Sequence, residues 1–109
     1  MSRRERDKGA AAEREIIGIF RNAGWPNVER TSNGRVQSGR GDIAHGPEGC
    51  HVECKRQERL NVPAALAQVR GDADPLDIPI LVHRPSRSVW MATLPLDDLL
   101  PLLALRERG

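Results

Sequence analysis

The chain predicts an α/β layered domain: a small mixed five-stranded sheet flanked by helices, in the order αβββαββα. Three observations carry that expectation. Ile16, Ile17, Phe20 and Ala23 form an apolar stripe at helical spacing near the start. Short strand candidates bounded by turn residues follow at residues 28–30, as a hairpin over 42–55, and at 78–83 and 89–93. A proline-containing helical segment separates the earlier strands from the later ones, and a leucine-rich helix closes the chain. The 109 residues give one domain, 1–109, with a modest core.

Taken in order, Gly9 to Ala23 reads as a helix that Asp7 can cap. Glu13 lies three, four and seven residues before Ile16, Ile17 and Phe20, so it falls on the buried stripe, while Arg14 and Glu15 lie off it. A carboxylate facing a core is costly unless it is paired or binds a metal. In the first turn of a helix, the dipole and nearby water offer it a structural alternative. Gly24-Trp25-Pro26-Asn27 ends the helix, and Val28 to Arg30 makes a short first strand. Residues 31–41 are polar and glycine-rich and carry Arg35 and Arg40, a loop length typical of functional or mobile segments. Residues 42–55 read as a hairpin turning at Gly46-Pro47-Glu48-Gly49. Asn61 caps a second helix, with Pro63 in its tolerant first turn. Ile78–His83 and Val89–Thr93 are two further strands. Leu96 to Arg106 is a leucine-rich helix, interrupted or restarted at Pro101.

Composition narrows the function classes. At 39% apolar and 29% charged, the chain is ordinary for a globular protein. Asp97, Asp98 and Pro101 break its longest apolar run, and the basic N-terminus lacks the apolar segment of a signal peptide, so a cytoplasmic location without a membrane partner is expected. Cys50 and Cys54 lie about 13 Å apart along a strand, beyond disulfide reach. With His45 and His51 they match no standard zinc spacing, so the thiols are read as reduced. Residues 1–60 hold 12 Lys+Arg against 9 Asp+Glu, whereas residues 61–109 hold 5 against 6. A cation bound among the acids of the first half would make that half more basic still to a polyanion.

The chemistry concentrates in Gly41-Asp42-Ile43 and, eleven residues after Asp42, Val52-Glu53-Cys54-Lys55. Glu53 and Lys55 share a strand face. In a hairpin with a four-residue turn, Asp42 falls opposite Glu53, about 5 Å away at Cβ. Two carboxylates at that distance call for a divalent cation. Magnesium, with manganese as a substitute, takes oxygen ligands and keeps waters and substrate phosphates. Asp42, Glu53, the main-chain carbonyl of Cys54 and Glu13 are the candidate ligands. Lys55 would contact the scissile phosphate and orient the attacking water, which points to phosphodiester hydrolysis. Of 17 basic residues only Lys8 and Lys55 are lysine, so a compact, pKa-tunable ammonium stands at 55 in a chain that otherwise uses arginine.

These residues resemble archaeal-type Holliday junction resolvases, a family of the PD-(D/E)xK nuclease superfamily also found in phages. Lys8-Gly9-Ala10-Ala11-Ala12-Glu13-Arg14-Glu15 is similar to the family's first helix, Asp42-Ile43-Ala44 to its aspartate strand, and Val52-Glu53-Cys54-Lys55 to its (D/E)xK strand. The likeness runs from residue 8 to about 84 by order and spacing. It implies a restriction-endonuclease-like three-layer core and metal-dependent resolution of four-way DNA junctions, with recombination or repair as the setting. The implied catalytic set is Glu13, Asp42, Glu53 and Lys55, with a loop serine, Ser32 by position and Ser38 as the alternative. Arg14 and Arg30 match basic positions near the family's phosphate track. Gly41 replaces the proline of the motif name, and the loop length differs from that of relatives. Other branched, damaged or restriction-type duplexes are alternative substrates, and a non-catalytic DNA-binding dimer is the alternative class.

Lys8, Arg14, Arg30, Arg35, Arg40 and Arg56 are the candidate DNA contacts, with Arg59 nearby. Phe20, Trp25 and Trp90 are the only aromatics, which favours backbone recognition over base stacking and reads the tryptophans as packing anchors. His51 shares a face with Glu53 and is read as its neighbour, and Gln68 as an exposed helix residue. Leucines lie all round the last helix, more than one packed face needs, so a homodimer is expected.

Overall fold

Helix α1 runs from Arg3 to Ala23. It therefore begins well before Gly9, and Asp7 lies inside it rather than at its cap. The added turns, RRERDK, contain no glycine or proline to stop helix propagation. In this computed structural model the described residues are 3–31 and 41–109, with side chains described from Gly9 onward. The Lys8 side chain and the segment holding Ser32, Arg35, Ser38 and Arg40 lie outside that set.

Ala12, Ile16 and Ile17 are the buried positions of α1, and Phe20 packs beside them. Ala23, expected on this stripe, is exposed. The helix has by then passed the end of the core. Gly24 at φ +126° closes the helix, and the Trp25 N–H donates to the Phe20 carbonyl at 3.1 Å, as in a Schellman-type cap. Phe20 and Trp25 then meet at 5.9 Å between ring centroids.

Five strands follow in the expected order: β1 (Glu29–Arg30), β2 (Ile43–Ala44), β3 (Cys50–Lys55), β4 (Ile78–His83) and β5 (Met91–Thr93). They form two sheets, not the single five-stranded one expected. β1 pairs with β2 antiparallel, and β3-β4-β5 form the second sheet. The Asp42–Glu53 hairpin is absent. β2 is only two residues long, and His45 then takes a left-handed φ of 62°, turning the chain out toward Gly46 and Pro47. What joins the two sheets is a single parallel bridge between Gly41 and Val52.

Helix α2 (Val62–Asp72) connects β3 to β4, which run parallel, as a crossover of this kind requires. Asn61 caps it, its side chain accepting from the Ala64 N–H at 3.1 Å. β4 is buried on both faces. Val52 and Val82 face Ile16, Ile17, Val28 and Ile43, while Leu81 faces Ala65 and Val69 of α2. By strand alternation Cys50 and Cys54 belong to the α1 side of β3, and His51, Glu53 and Lys55 to the α2 side. Helix α3 (Leu96–Arg108) is continuous, with Pro101 inside it rather than breaking it. None of its residues is buried. Among the described residues no helix is long and apolar enough to cross a membrane.

Candidate functional site

The site begins at Gly41. Its φ is +82°, and a Cβ there would lie 2.3 Å from the Val52 carbonyl oxygen. Only glycine allows the backbones to come this close. The approach lets the Asp42 N–H donate to the Val52 carbonyl at 2.8 Å. It also sets the Asp42 side chain against the free edge of β3, where Oδ2 accepts from the Cys54 N–H at 2.7 Å. Thr31 closes the other side, its hydroxyl donating to the Gly41 carbonyl at 2.7 Å.

Asp42 is thus bonded to the β3 backbone beside Glu53, rather than opposed to Glu53 itself. Burial pushes its carboxyl above the ordinary aspartate range. The Cys54 N–H, then Lys55, His51 and Arg30, pull the other way without cancelling the effect. Glu13 comes to the same place from α1. It is half-buried and bonded to the Arg30 guanidinium. Its carboxyl is raised first by burial and next by the negative charge of Asp42, with Arg30 and Lys55 opposing. The Cys54 thiol, pushed up to about 12 by burial and then by Asp42 and Glu13, stays protonated and is no nucleophile.

Glu53 is held differently. Its carboxylate lies 3.1 Å from Nε2 of His51, two residues away on the same face, and both side chains are almost fully enclosed. Among the described residues, no three His, Cys, Asp or Glu side chains are grouped closely enough to hold an ion. The structure sets Asp42 within electrostatic reach of Glu13 and Lys55, and pairs Glu53 with His51 on the face of β3 that Lys55 shares by strand alternation.

A hard divalent cation would relieve the strain on Glu13 and Asp42. Both carboxylates are disfavoured as anions, and one is disfavoured partly by the other, a penalty that a cation between them removes. The Val52 carbonyl and the Cys54 N–H point to this edge, so by strand alternation the Cys54 carbonyl does too, away from β4. That places three oxygen sources at one edge: Glu13, Asp42 and the Cys54 carbonyl. Glu53 is held by His51 through Oε1 on the other face of the strand.

Of the expected DNA contacts, Arg14 is exposed and Arg30 is committed to Glu13. Arg56 is half-buried, with its Nε enclosed and without an acceptor. Gln68 is exposed, as expected. Reading the sequence missed Arg84. Its guanidinium lies 5.0 Å from the Trp90 ring centroid and bonds Glu15 at 2.8 Å, and the Trp90 indole N–H donates to the same Glu15 oxygen at 2.9 Å. The Trp90 bond, with Arg84 behind it, holds the Glu15 carboxyl below its ordinary range. This clamp ties α1 to the end of β4, beside Lys55. No local spacing announces it, because its members are 69 and 75 residues apart. No family model, no curated protein and no solved structure matches the chain.

Proposed function

We propose that the chain is a divalent-metal-dependent endonuclease hydrolysing phosphodiester bonds in branched DNA, with four-way junctions as the leading substrate. The observation that carries this reading is the Asp42 carboxylate bonded to the backbone of β3 at Cys54, within electrostatic reach of Glu13 and Lys55, with both acids raised above the ordinary carboxylate range. Partly buried acids that repel one another are a standing cost to a fold, and a cost of this kind is common where acids work on a metal or a proton.

Glu13, Asp42 and the Cys54 carbonyl would hold Mg²⁺ or Mn²⁺, with Glu53 as the further carboxylate. When bound, such an ion lowers the pKa of a water and stabilises negative charge on phosphorus and the leaving oxygen. Lys55 places a compact positive charge on the scissile phosphate and aligns the attacking water. Arg14 and Arg56 contact flanking phosphates, which fixes register without reading bases. His51 orients Glu53 through its Nε2. The resemblance of Lys8–Glu15, Asp42–Ala44 and Val52–Lys55 to archaeal-type Holliday junction resolvases narrows the substrate from duplex DNA to junctions.

A second reading, a DNA-binding module without catalysis, draws on the Glu53–His51 contact, which leaves two acids rather than three at the strand edge. One assay separates the two. A synthetic four-way junction and a matched linear duplex are incubated with Mg²⁺, Mn²⁺ or EDTA. Paired symmetric nicks in the junction alone support the resolvase. Equal cutting of the linear duplex moves the reading to a general nuclease. Binding without cutting under every metal establishes the non-catalytic module.

A further inference from the structure

The carboxyl ends of β3 and β4 carry two arginines side by side. Lys55 and His83 pair in register at the last positions of these parallel strands, and the Arg84 N–H donates to the Lys55 carbonyl at 3.3 Å. Arg56 and Arg84 are the next residues on the two segments, which neighbouring strands set about 4.8 Å apart. Both lie within electrostatic reach of one acid, Glu15 of α1. In sheets of parallel strands this end is where ligands are taken.

Donors outnumber acceptors at this place. One oxygen of Glu15 accepts both from Nη2 of Arg84 at 2.8 Å and from the Trp90 indole N–H at 2.9 Å. Nη1 of Arg84 donates to the Ser88 carbonyl at 3.3 Å. The Nε atoms of Arg56 and Arg84 are enclosed and have no acceptor among the described residues. Glu58, the next acid after Arg56 in the chain, is bonded through both oxygens to the Ser86 N–H. One carboxylate cannot satisfy two guanidinium groups, and enclosed donors left without acceptors are costly.

Exposure shows which member of the clamp can leave. The Glu15 side chain is 40% exposed, against 13% for Arg84. Arg84 is backed by Trp90, 5.0 Å from its ring centroid, and keeps its place when Glu15 turns out to water. A planar fork and an indole N–H are then directed at the position of one oxyanion, with the Arg56 guanidinium within reach. A phosphodiester suits that position better than a carboxylate, because the arginine fork takes phosphate bidentately. A DNA strand delivers one there, since Lys55, the residue assigned to the scissile phosphate, lies beside Arg84.

We propose that Arg84, with Arg56 and the Trp90 N–H, binds a backbone phosphate of DNA next to the one on Lys55, and that Glu15 holds the place until that phosphate displaces it. The site rests on the reading that the partner is DNA, and it needs no metal.

The test is binding of a labelled four-way junction and a matched linear duplex in EDTA, read by fluorescence anisotropy as salt is varied. Circular dichroism checks that each variant is folded. Arg84→Ala weakens both DNAs about tenfold and reduces the slope of log affinity against log salt by about one. Arg84→Lys, which keeps the charge without the fork, weakens them about threefold and serves where Arg84→Ala does not fold. Glu15→Gln removes the competing charge and tightens binding about threefold, while in the Arg84→Ala background it is close to neutral. With Trp25→Phe, Trp90 is the sole tryptophan, and its emission shifts on adding DNA. DNA binding that the Arg84 variants leave within about twofold, at an unchanged salt slope, overturns the site and leaves the DNA reading standing. A Glu15→Gln gain of equal size with and without Arg84 also overturns it, since that is general charge and not displacement. Trp90 emission that responds to inorganic phosphate but not to DNA overturns it in favour of a free-anion site. Failure of the wild type to bind either DNA removes the DNA reading itself, and the site with it.

Discussion

Gly41 and Gly49 make a matched pair whose replacement tests the geometry of the Asp42 site. Both have a left-handed φ, +82° and +73°. An alanine Cβ at Gly49 meets nothing within 4 Å, so Gly49→Ala carries the conformational strain alone, about 1 kcal/mol. At Gly41 the same Cβ would overlap the Val52 carbonyl, 2.3 Å from its oxygen and 2.9 Å from its carbon. Those are backbone atoms of a core strand and cannot rotate aside. The chain at Gly41 must withdraw, which breaks the Asp42 N–H bond to Val52, worth about 1 kcal/mol, and loosens the charged bond from Cys54 to the Asp42 carboxylate, worth about 2 kcal/mol. Gly41→Ala should therefore cost about 4 kcal/mol in total, some 3 kcal/mol more than Gly49→Ala. With a urea m-value of about 1.5 kcal/mol/M, the two midpoints differ by about 2 M. Urea unfolding followed by circular dichroism measures both. Equal costs for the two glycines, or a Gly41→Ala cost below about 1.5 kcal/mol, would refute the argument that close backbone approach sets Asp42.

Further predictions bear on the acids and on the clamp. Because Glu13 and Asp42 are raised in the folded state, they contribute stability that is fully present below their unfolded pKa values and lost as pH rises through the folded ones. Thermal stability in EDTA should therefore fall as pH climbs from the ordinary carboxylate range toward neutrality, and Asp42→Asn should flatten that fall; a profile unchanged by the substitution contradicts it. At neutral pH, Mg²⁺ or Mn²⁺ should raise the melting temperature of the wild type and leave Asp42→Asn unmoved, as read by calorimetry. Lys55→Arg should keep DNA binding but lose about 100-fold or more in cleavage rate, since the wide guanidinium fork does not reproduce a compact ammonium; near-normal turnover removes Lys55 from its assigned role. Glu15→Ala should destabilise by about 1–2 kcal/mol and shift Trp90 fluorescence, because it strips a carboxylate from both the indole N–H and Arg84. As Glu15 is lowered, its contribution is present above its ordinary pKa and lost as pH falls through the folded one.

What was legible in the sequence was what short-range chemistry decides. The Asn61 cap, the Gly24 stop, the strand at Ile78–His83 and the order of all eight elements follow from signals a few residues long. The surplus of leucine on α3 was legible too, since one helix in so small a domain cannot bury leucines on every side. What failed was register. Whether residues 42–55 close as a hairpin depends on the backbone at His45, which adopts a left-handed φ that few non-glycine residues take, and no local pattern forecasts it. With that turn made differently, β2 pairs with β1, and the aspartate reaches β3 through one bridge instead of a ladder. The Glu15–Arg84–Trp90 clamp was invisible for another reason: its spacing is set by the packing of α1 on the sheet, which exists only once the chain has folded.

The altered register changes what the D…ExK pattern means in this chain. An opposed Asp42–Glu53 pair would have put every acid on one face of β3, with Glu13 as an accessory. Instead Glu13 and the Cys54 side chain lie on the α1 side, and Glu53 and Lys55 start from the α2 side. Asp42 sits at the strand edge between them, bonded to the β3 backbone itself. A site built around a strand edge needs that edge left open, and among the described residues the backbone bridge to β3 is made at Val52, with no strand paired along the Cys54 carbonyl. Longer pairing of β2 with β3 would have covered the same carbonyl with a ladder hydrogen bond. The short β2 and the outward turn at His45, which break the expected hairpin, are therefore the features that keep a third oxygen available beside Asp42 and Glu13.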